Sequence, residues 1–246
     1  MKIVSLLPSS TEIVCKLGFR ENLVGVSHEC DYPLSVKDLP ILTKPRFSPI
    51  ESSQKIDNSV QDLLKKGLSV YEVNTDLLKK LAPDLIITQA QCEACAVSLN
   101  DVKEAVSDWV GNKPDIVSLE PNYLDEVWSD FERVGEKLNC TDSYLKFKSE
   151  IEQRLEKLKQ KSQQIIKRPS VVCVEWIDPL MIAANWVPEL VDIAGGINLL
   201  TKPGSHSHIF KWEEIIESNP EFIIMMPCGF DINRTLEEIE ILKQKT

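Results

Sequence analysis

Residues 142–167 read "DSYLKFKSEIEQRLEKLKQKSQQIIK". The stretch holds no Gly or Pro, and Leu145, Ile151, Leu155, Leu158 and Ile165 recur at approximately helical spacing, so it predicts one long helix. Thr141 or Asp142 can cap its start, and the Glu and Lys side chains can pair across its turns. At 1.5 Å per residue such a helix is about 39 Å long, comparable with the width of a small domain. It reads as a strut between two lobes, the alternative being a helix lying on the surface of one.

On either side of it, short Ile- and Val-rich runs alternate with longer amphipathic stretches: "KIVSLL" then "STEIVCKLG", "TDLLKKLAP" then "DLIIT", "DIVSL" then "LDEVWSDFERVGEKL". This is the rhythm of a mainly parallel sheet covered by helices, and it resumes at "SVVCVEW". The chain also echoes itself. "TEIVCKLGFRENLVGVS" from Thr11 returns as "PELVDIAGGINLLTKP" from Pro188, and "LAPDLIITQAQC" from Leu81 as "SNPEFIIMMPC" from Ser218. The fold expected is therefore α/β with two similarly built lobes: residues 1–140, a bridging helix over 141–168, and a second lobe over 169–246.

The 246 residues are 43% apolar, enough for a real core. A net charge of −10 disfavours a nucleic-acid partner, whose phosphates need clustered Lys and Arg, and serves solubility. No apolar run approaches the roughly 18 residues that cross a bilayer. "MKIVSLLPSST" reads as a first strand rather than an export signal, and seven cysteines without a disulfide framework suit a reducing compartment, so a cytoplasmic protein is expected.

Open parallel sheets bind ligands beyond the C-terminal ends of their strands. The loops concerned are "PSSTE", which carries Ser9 and Glu12, "SHECDYP", with His28 and Tyr32, "QAQCEAC", with Gln91, and "EPNY" in the first lobe, then "EWIDPLMIAANW" and "PCGFD" in the second. Trp176, Trp186, Tyr123 and Phe230 fall on these loops and suit a flat ligand with apolar edges. The serines of "LLPSST" can cap the helix that follows or meet an anion at its N-terminus, and Arg46 can pair with a ligand carboxylate or phosphate or with a surface acid.

The segments "SLLPSSTEIVCKLGFRENLVGVSHECDYP", "LAPDLIIT" and "PELVDIAGGINLL", with the long helix between, resemble the iron-chelate and vitamin B12 binding family of ABC importer substrate-binding proteins over nearly the whole chain. The subgroup most like it is leaderless, with "SHECDYP" and a downstream CxxC. The resemblance implies two α/β lobes bridged by one helix, of the class III periplasmic-binding-protein type, and noncatalytic binding of a cobalamin-like corrinoid or related metal chelate in the cleft. It implies that Tyr32 packs against the corrin, that Phe47 stands near the place of a cleft tryptophan, and that Asp76 and Glu213 meet arginines of an ABC permease. In this family a leader is usual, Glu is usual where Asp76 stands, and the chain usually continues through a further strand and helix, so a minimal or shortened second lobe is expected.

The cysteines leave a second function open. His28, Cys30, Cys92 and Cys95, with Cys228 from the other lobe, supply enough ligands for zinc or iron, as a cytosolic metal-binding protein or metalloenzyme would need. The same cysteines also suit a pocket wall or a thiol redox pair. His206 and His208 in "KPGSHSHIF" can ligate cobalt or iron, or lie on an exposed loop. Neither a nucleotide-binding fingerprint nor a hydrolase elbow is present.

Overall fold

The run "KIVSLL" opens as β1 (Ile3–Ser5), whose residues are all buried. The computed structural model describes residues 1–90, 97, 99–107, 109 and 113–243. The described elements follow as α1 (Pro8–Lys16), β2 (Leu23–Val26), β3 (Thr43–Pro45), α2 (Ser53–Lys65), β4 (Tyr71–Val73), α3 (Thr75–Leu81), β5 (Leu85–Gln89), α4 (Leu99–Ala105), β6 (Asp115–Leu119), α5 (Leu124–Lys137) and α6 (Thr141–Ser162). After these come β7 (Ser170–Trp176), β8 (Met181–Ile182), α7 (Val187–Ile193), β9 (Ile197–Asn198), β10 (His208–Ile209), α8 (Trp212–Ser218), β11 (Phe222–Met225) and α9 (Ile232–Lys243). The α/β class expected from the alternation is the class observed.

The chain divides into two compact units. The first holds Met1–Pro49, Ser59–Glu120 and Trp128–Phe147, and the second holds Ile50–Asn58, Pro121–Val127 and the chain from Lys148 onward. The boundary thus falls inside three helices, α2, α5 and α6.

In the first unit, β2-β1-β5-β6 form a parallel sheet, and β3 and β4 make a separate antiparallel pair. Its core joins Ile3, Leu85 and Ile87 of the strands to Ile13 and Val14 of α1 and Val134 of α5. In the second unit, β7 pairs in parallel with β11 and β9 but antiparallel with β8, which pairs antiparallel with β10. Val172, Val174, Leu180, Ile182, Phe210 and Ile215 fill one cluster of its core, and Val171, Cys173, Ala183 and Val191 fill another.

The long helix is shorter than its sequence reading. It runs for 22 residues, about 33 Å, because the chain turns after Ser162. That turn packs closely on Gly195: a Cβ there would sit 2.5 Å from Ile165 Cδ1, and the backbone at φ +91° suits glycine alone. Leu145 and Leu158 are 52% and 49% exposed, whereas Tyr144 is buried in the first unit's core against Gly135. Thr141 and Asp142 lie within the first turn, where the acid favours the helix dipole.

One buried carboxylate fastens the Ile50–Asn58 stretch inside the second unit. Glu238 of α9 accepts from Ser53 Oγ at 2.8 Å and from the Ser53 N–H at 3.3 Å, at the start of α2. Arg234, one turn earlier, donates to the same carboxylate at 3.2 Å and to the Glu51 carbonyl. Charge-assisted bonds of this kind in a buried setting contribute about 1.5–3 kcal/mol. Glu238→Ala is therefore expected to lower unfolding stability by roughly 2 kcal/mol, measured as a urea midpoint shift, with Glu238→Gln losing less.

Candidate functional site

β1 leads on to β2 on one side, whereas its other neighbour β5 leads on to β6 on the opposite side, so the connections from these two adjacent strands run in opposite directions across the sheet. The crevice beyond such a switch point is where open parallel sheets hold ligands. Ser5, the last residue of β1, anchors a buried hydroxyl cluster there. Its Oγ lies 2.6 Å from Ser10 Oγ and 2.7 Å from Thr11 Oγ1, and Thr11 Oγ1 lies 3.1 Å from Cys30 Sγ. Ser10 also donates to the Leu7 carbonyl at 2.9 Å. The serines therefore do not cap α1 as the sequence suggested: its N-cap is Leu7, without a side-chain bond, and Pro8 sets the first turn instead. Ser9 is exposed.

β2 delivers "SHEC" beside this cluster. His28 is held twice by Thr43 Oγ1, which accepts its backbone N–H at 3.0 Å and lies 2.7 Å from Nδ1. Thr43 donates in turn to Ser27 Oγ at 3.0 Å. The His28 ring packs on Tyr71 of β4 at 5.4 Å between centroids, and Phe47 meets the same tyrosine edge-on at 6.3 Å. His28 Nε2 is buried and lies 3.1 Å from a Glu29 carboxylate oxygen. The His28 ring holds the Glu29 carboxyl below its ordinary range against the opposing effect of burial. Glu12, on α1, is pushed the other way by burial and then by Asp31.

Cys30 is buried, and burial pushes its thiol pKa up despite the Thr11 hydroxyl. Gln91, Cys92 and Cys95 lie outside the described residues. Among the described residues no group of three or more His, Cys, Asp or Glu is placed to hold a metal ion.

In the second unit, Trp176 ends β7 and meets Phe230 at 5.2 Å, with the planes tilted by 52°. The Arg234 guanidinium lies over Phe230, 4.6 Å from its centroid. The Trp176 indole N–H is buried with no hydrogen-bond partner among the described residues. Glu175 bonds to Ser207, whose Oγ accepts the Ala184 N–H at 3.2 Å, and burial raises the Glu175 carboxyl above its usual range. These contacts tether the "GSHSH" loop, whose His206 and His208 side chains are both exposed.

The remaining predicted residues are placed as follows. Tyr32 is 62% exposed. Arg46 follows β3 and lies 3.9 Å from Glu72, the surface pairing foreseen as its alternative. Trp186 is half-buried at the start of α7, Tyr123 is laid against Gly204, and Cys228 is exposed after β11. Asp76 and Glu213 are both exposed in the first turns of α3 and α8. Glu213 also stands on the rim of a cavity of about 440 Å³ floored by Ile177, Leu180 and Phe210. Four contributors were missed in the sequence. Tyr71 and Thr43 come from three-residue strands too short to show a period, whereas Arg234 and Glu238 carry a readable i, i+4 spacing.

The periplasmic binding protein family model matches residues 3–244, and the chain belongs to that family. Solved structures share the fold at low sequence identity. A periplasmic heme-binding protein of Pseudomonas aeruginosa has 18% identity and a TM-score of 0.72, the match covering 97% of this chain and 76% of that one. A possible iron-binding, periplasmic solute-binding protein of Staphylococcus epidermidis has 20% identity and a TM-score of 0.69, with coverage of 99% and 82%. The periplasmic vitamin B12 binding protein of Vibrio cholerae has 18% identity and a TM-score of 0.65, with coverage of 99% and 85%. A comparison with curated proteins found no significant match.

Because the folded state raises the Glu175 pKa, it retains a proton that the unfolded chain has already released. The stability linked to this group is complete below the ordinary carboxyl range and is lost as pH rises through the raised value. Glu175→Gln is expected to match the wild type in acid and to melt at a higher temperature at neutral pH, read from melting curves between pH 4 and 8.

Proposed function

We propose that the protein is the substrate-binding component of an ABC importer, or a cytoplasmic counterpart of one, that holds a corrinoid or related flat metal chelate without chemically altering it. The observation that carries this reading is the Trp176–Phe230 pair at the end of β7, where an α/β sheet binds its ligands. Aromatic faces gain about 25 cal/mol per Å² of apolar surface removed from water, so a flat macrocycle with apolar edges is a natural guest. The ring cluster of His28, Tyr71 and Phe47 gives the first unit aromatic surface of its own. Family membership and the vitamin B12, heme and iron ligands in the names of similar structures support the same class of guest. Free thiols at Cys15, Cys30, Cys140, Cys173 and Cys228 are compatible with a reducing, cytoplasmic setting.

Titration with cyanocobalamin, cobinamide and hemin, followed by visible spectroscopy and calorimetry, tests this. Saturable binding of a corrinoid is expected, with Trp176→Ala and Phe230→Ala each weakening it at least tenfold, about 1.4 kcal/mol. Binding of none of the three would remove the reading. Docking to a permease is a separate expectation. Asp76→Lys and Glu213→Lys should weaken association with a corrinoid-type permease in proteoliposomes while leaving chelate affinity unchanged, and indifference to both changes would refute the docking role.

A further inference from the structure

We infer that Arg234 is a positioning residue for the ligand platform, bracing Phe230 and through it Trp176, rather than a cation offered to the ligand. This rests on the chelate-binding reading for the ligand's part in it, while the brace itself is a property of the free protein. Three observations carry it. First, the guanidinium lies 4.6 Å over the Phe230 ring, and Phe230 in turn meets Trp176 at 5.2 Å with the planes tilted by 52°, so the three side chains form one chain of contacts. Second, the cation is already committed. It donates to the Glu51 carbonyl, approaches the Ile50 carbonyl at 3.4 Å and bonds Glu238 at 3.2 Å, and Glu238 is itself fixed by Ser53. Third, both ends of the brace are well covered. Glu238 is buried, and the Arg234 side chain is 23% exposed.

A planar guanidinium suits this role because it can stack on a ring while its N–H groups bond in its own plane, which a lysine ammonium cannot do. The carbonyls it grips belong to residues 50 and 51, far from Phe230 in sequence. The platform's orientation therefore depends on a segment with no aromatic group of its own. With both Nη2 donors and one Nη1 donor engaged, Arg234 has no Nη1/Nη2 fork left for a ligand carboxylate. The platform end of the site accordingly suits a guest whose nearby edge is uncharged, such as an amide-decorated macrocycle, over one that presents a carboxylate there.

The test uses the full chain labelled with 5-fluorotryptophan, the Trp176 resonance being assigned by its loss in Trp176→Phe. In the ligand-free protein, Arg234→Met should shift or broaden the Trp176 fluorine signal while those of Trp109 and Trp128 stay in place, and Arg234→Lys should give an intermediate spectrum. In cyanocobalamin titrations the Met variant should bind at least tenfold more weakly, with Lys recovering part of the loss. An unchanged Trp176 signal in both variants overturns the brace. If the signal moves and cyanocobalamin, cobinamide and hemin all fail to bind the wild type, the brace stands and the chelate reading falls. Stronger hemin binding by wild type than by Arg234→Lys, with the Trp176 signal unmoved, would mean that Arg234 meets the ligand carboxylates directly. Should Arg234→Met fail to fold, Arg234→Lys and Phe230→Leu supply the same fluorine readout.

Discussion

The first unit is organised by a strand of three residues. Ile3, Val4 and Ser5 are wholly buried, and β1 is laddered to β2 on one side and β5 on the other. A strand this short has few hydrogen bonds of its own, so it is held by neighbours and by apolar side chains packed on both faces. Its last residue must place a hydroxyl in that buried setting, which is tolerable only if the hydroxyl is satisfied. Ser10 and Thr11 satisfy it, and so α1 begins where it does. The same central position of β1 puts the switch point, and the loops beyond it, at one end of the sheet.

The second unit meets a comparable constraint with charge. Ile50–Asn58 belongs to it although the chain on either side belongs to the first unit. Such an excursion needs an anchor stronger than loop packing, and the buried Glu238 carboxylate with Arg234 and Ser53 supplies one. A buried acid is held there by three donors, the Ser53 N–H at the start of α2, the Ser53 hydroxyl and the Arg234 guanidinium. The aromatic pair at the end of β7 leans on the same anchor, so fold stability and site geometry draw on common residues.

Much of the architecture was readable because it is periodic. Alternating Ile and Val runs with amphipathic stretches mark strands and helices in any α/β chain, and the Gly- and Pro-free run from residue 142 marks α6. The same cues did not single out the residue of α6 that the core takes: Tyr144 is buried beside Gly135, while Leu145 and Leu158 are exposed. Spacing also overran the helix end, since nothing in "QQIIK" announces the close approach of Gly195. At the site, Trp176, Phe230 and His28 could be named because they follow apolar runs. Tyr71 and Thr43 could not, because three-residue strands leave no pattern.

By itself the sequence determined the α/β class, the long helix and the loops at strand ends, all of which follow from local periodicity and from the chemistry of neighbouring residues. Tertiary structure alone decided that the boundary between units cuts three helices, that Glu238 reaches Ser53, and that Arg234 backs Phe230. The reason is physical. The bond between positions 53 and 238 joins groups 185 residues apart. Its energy depends on burial and on a shared carboxylate, neither of which exists until the chain has packed.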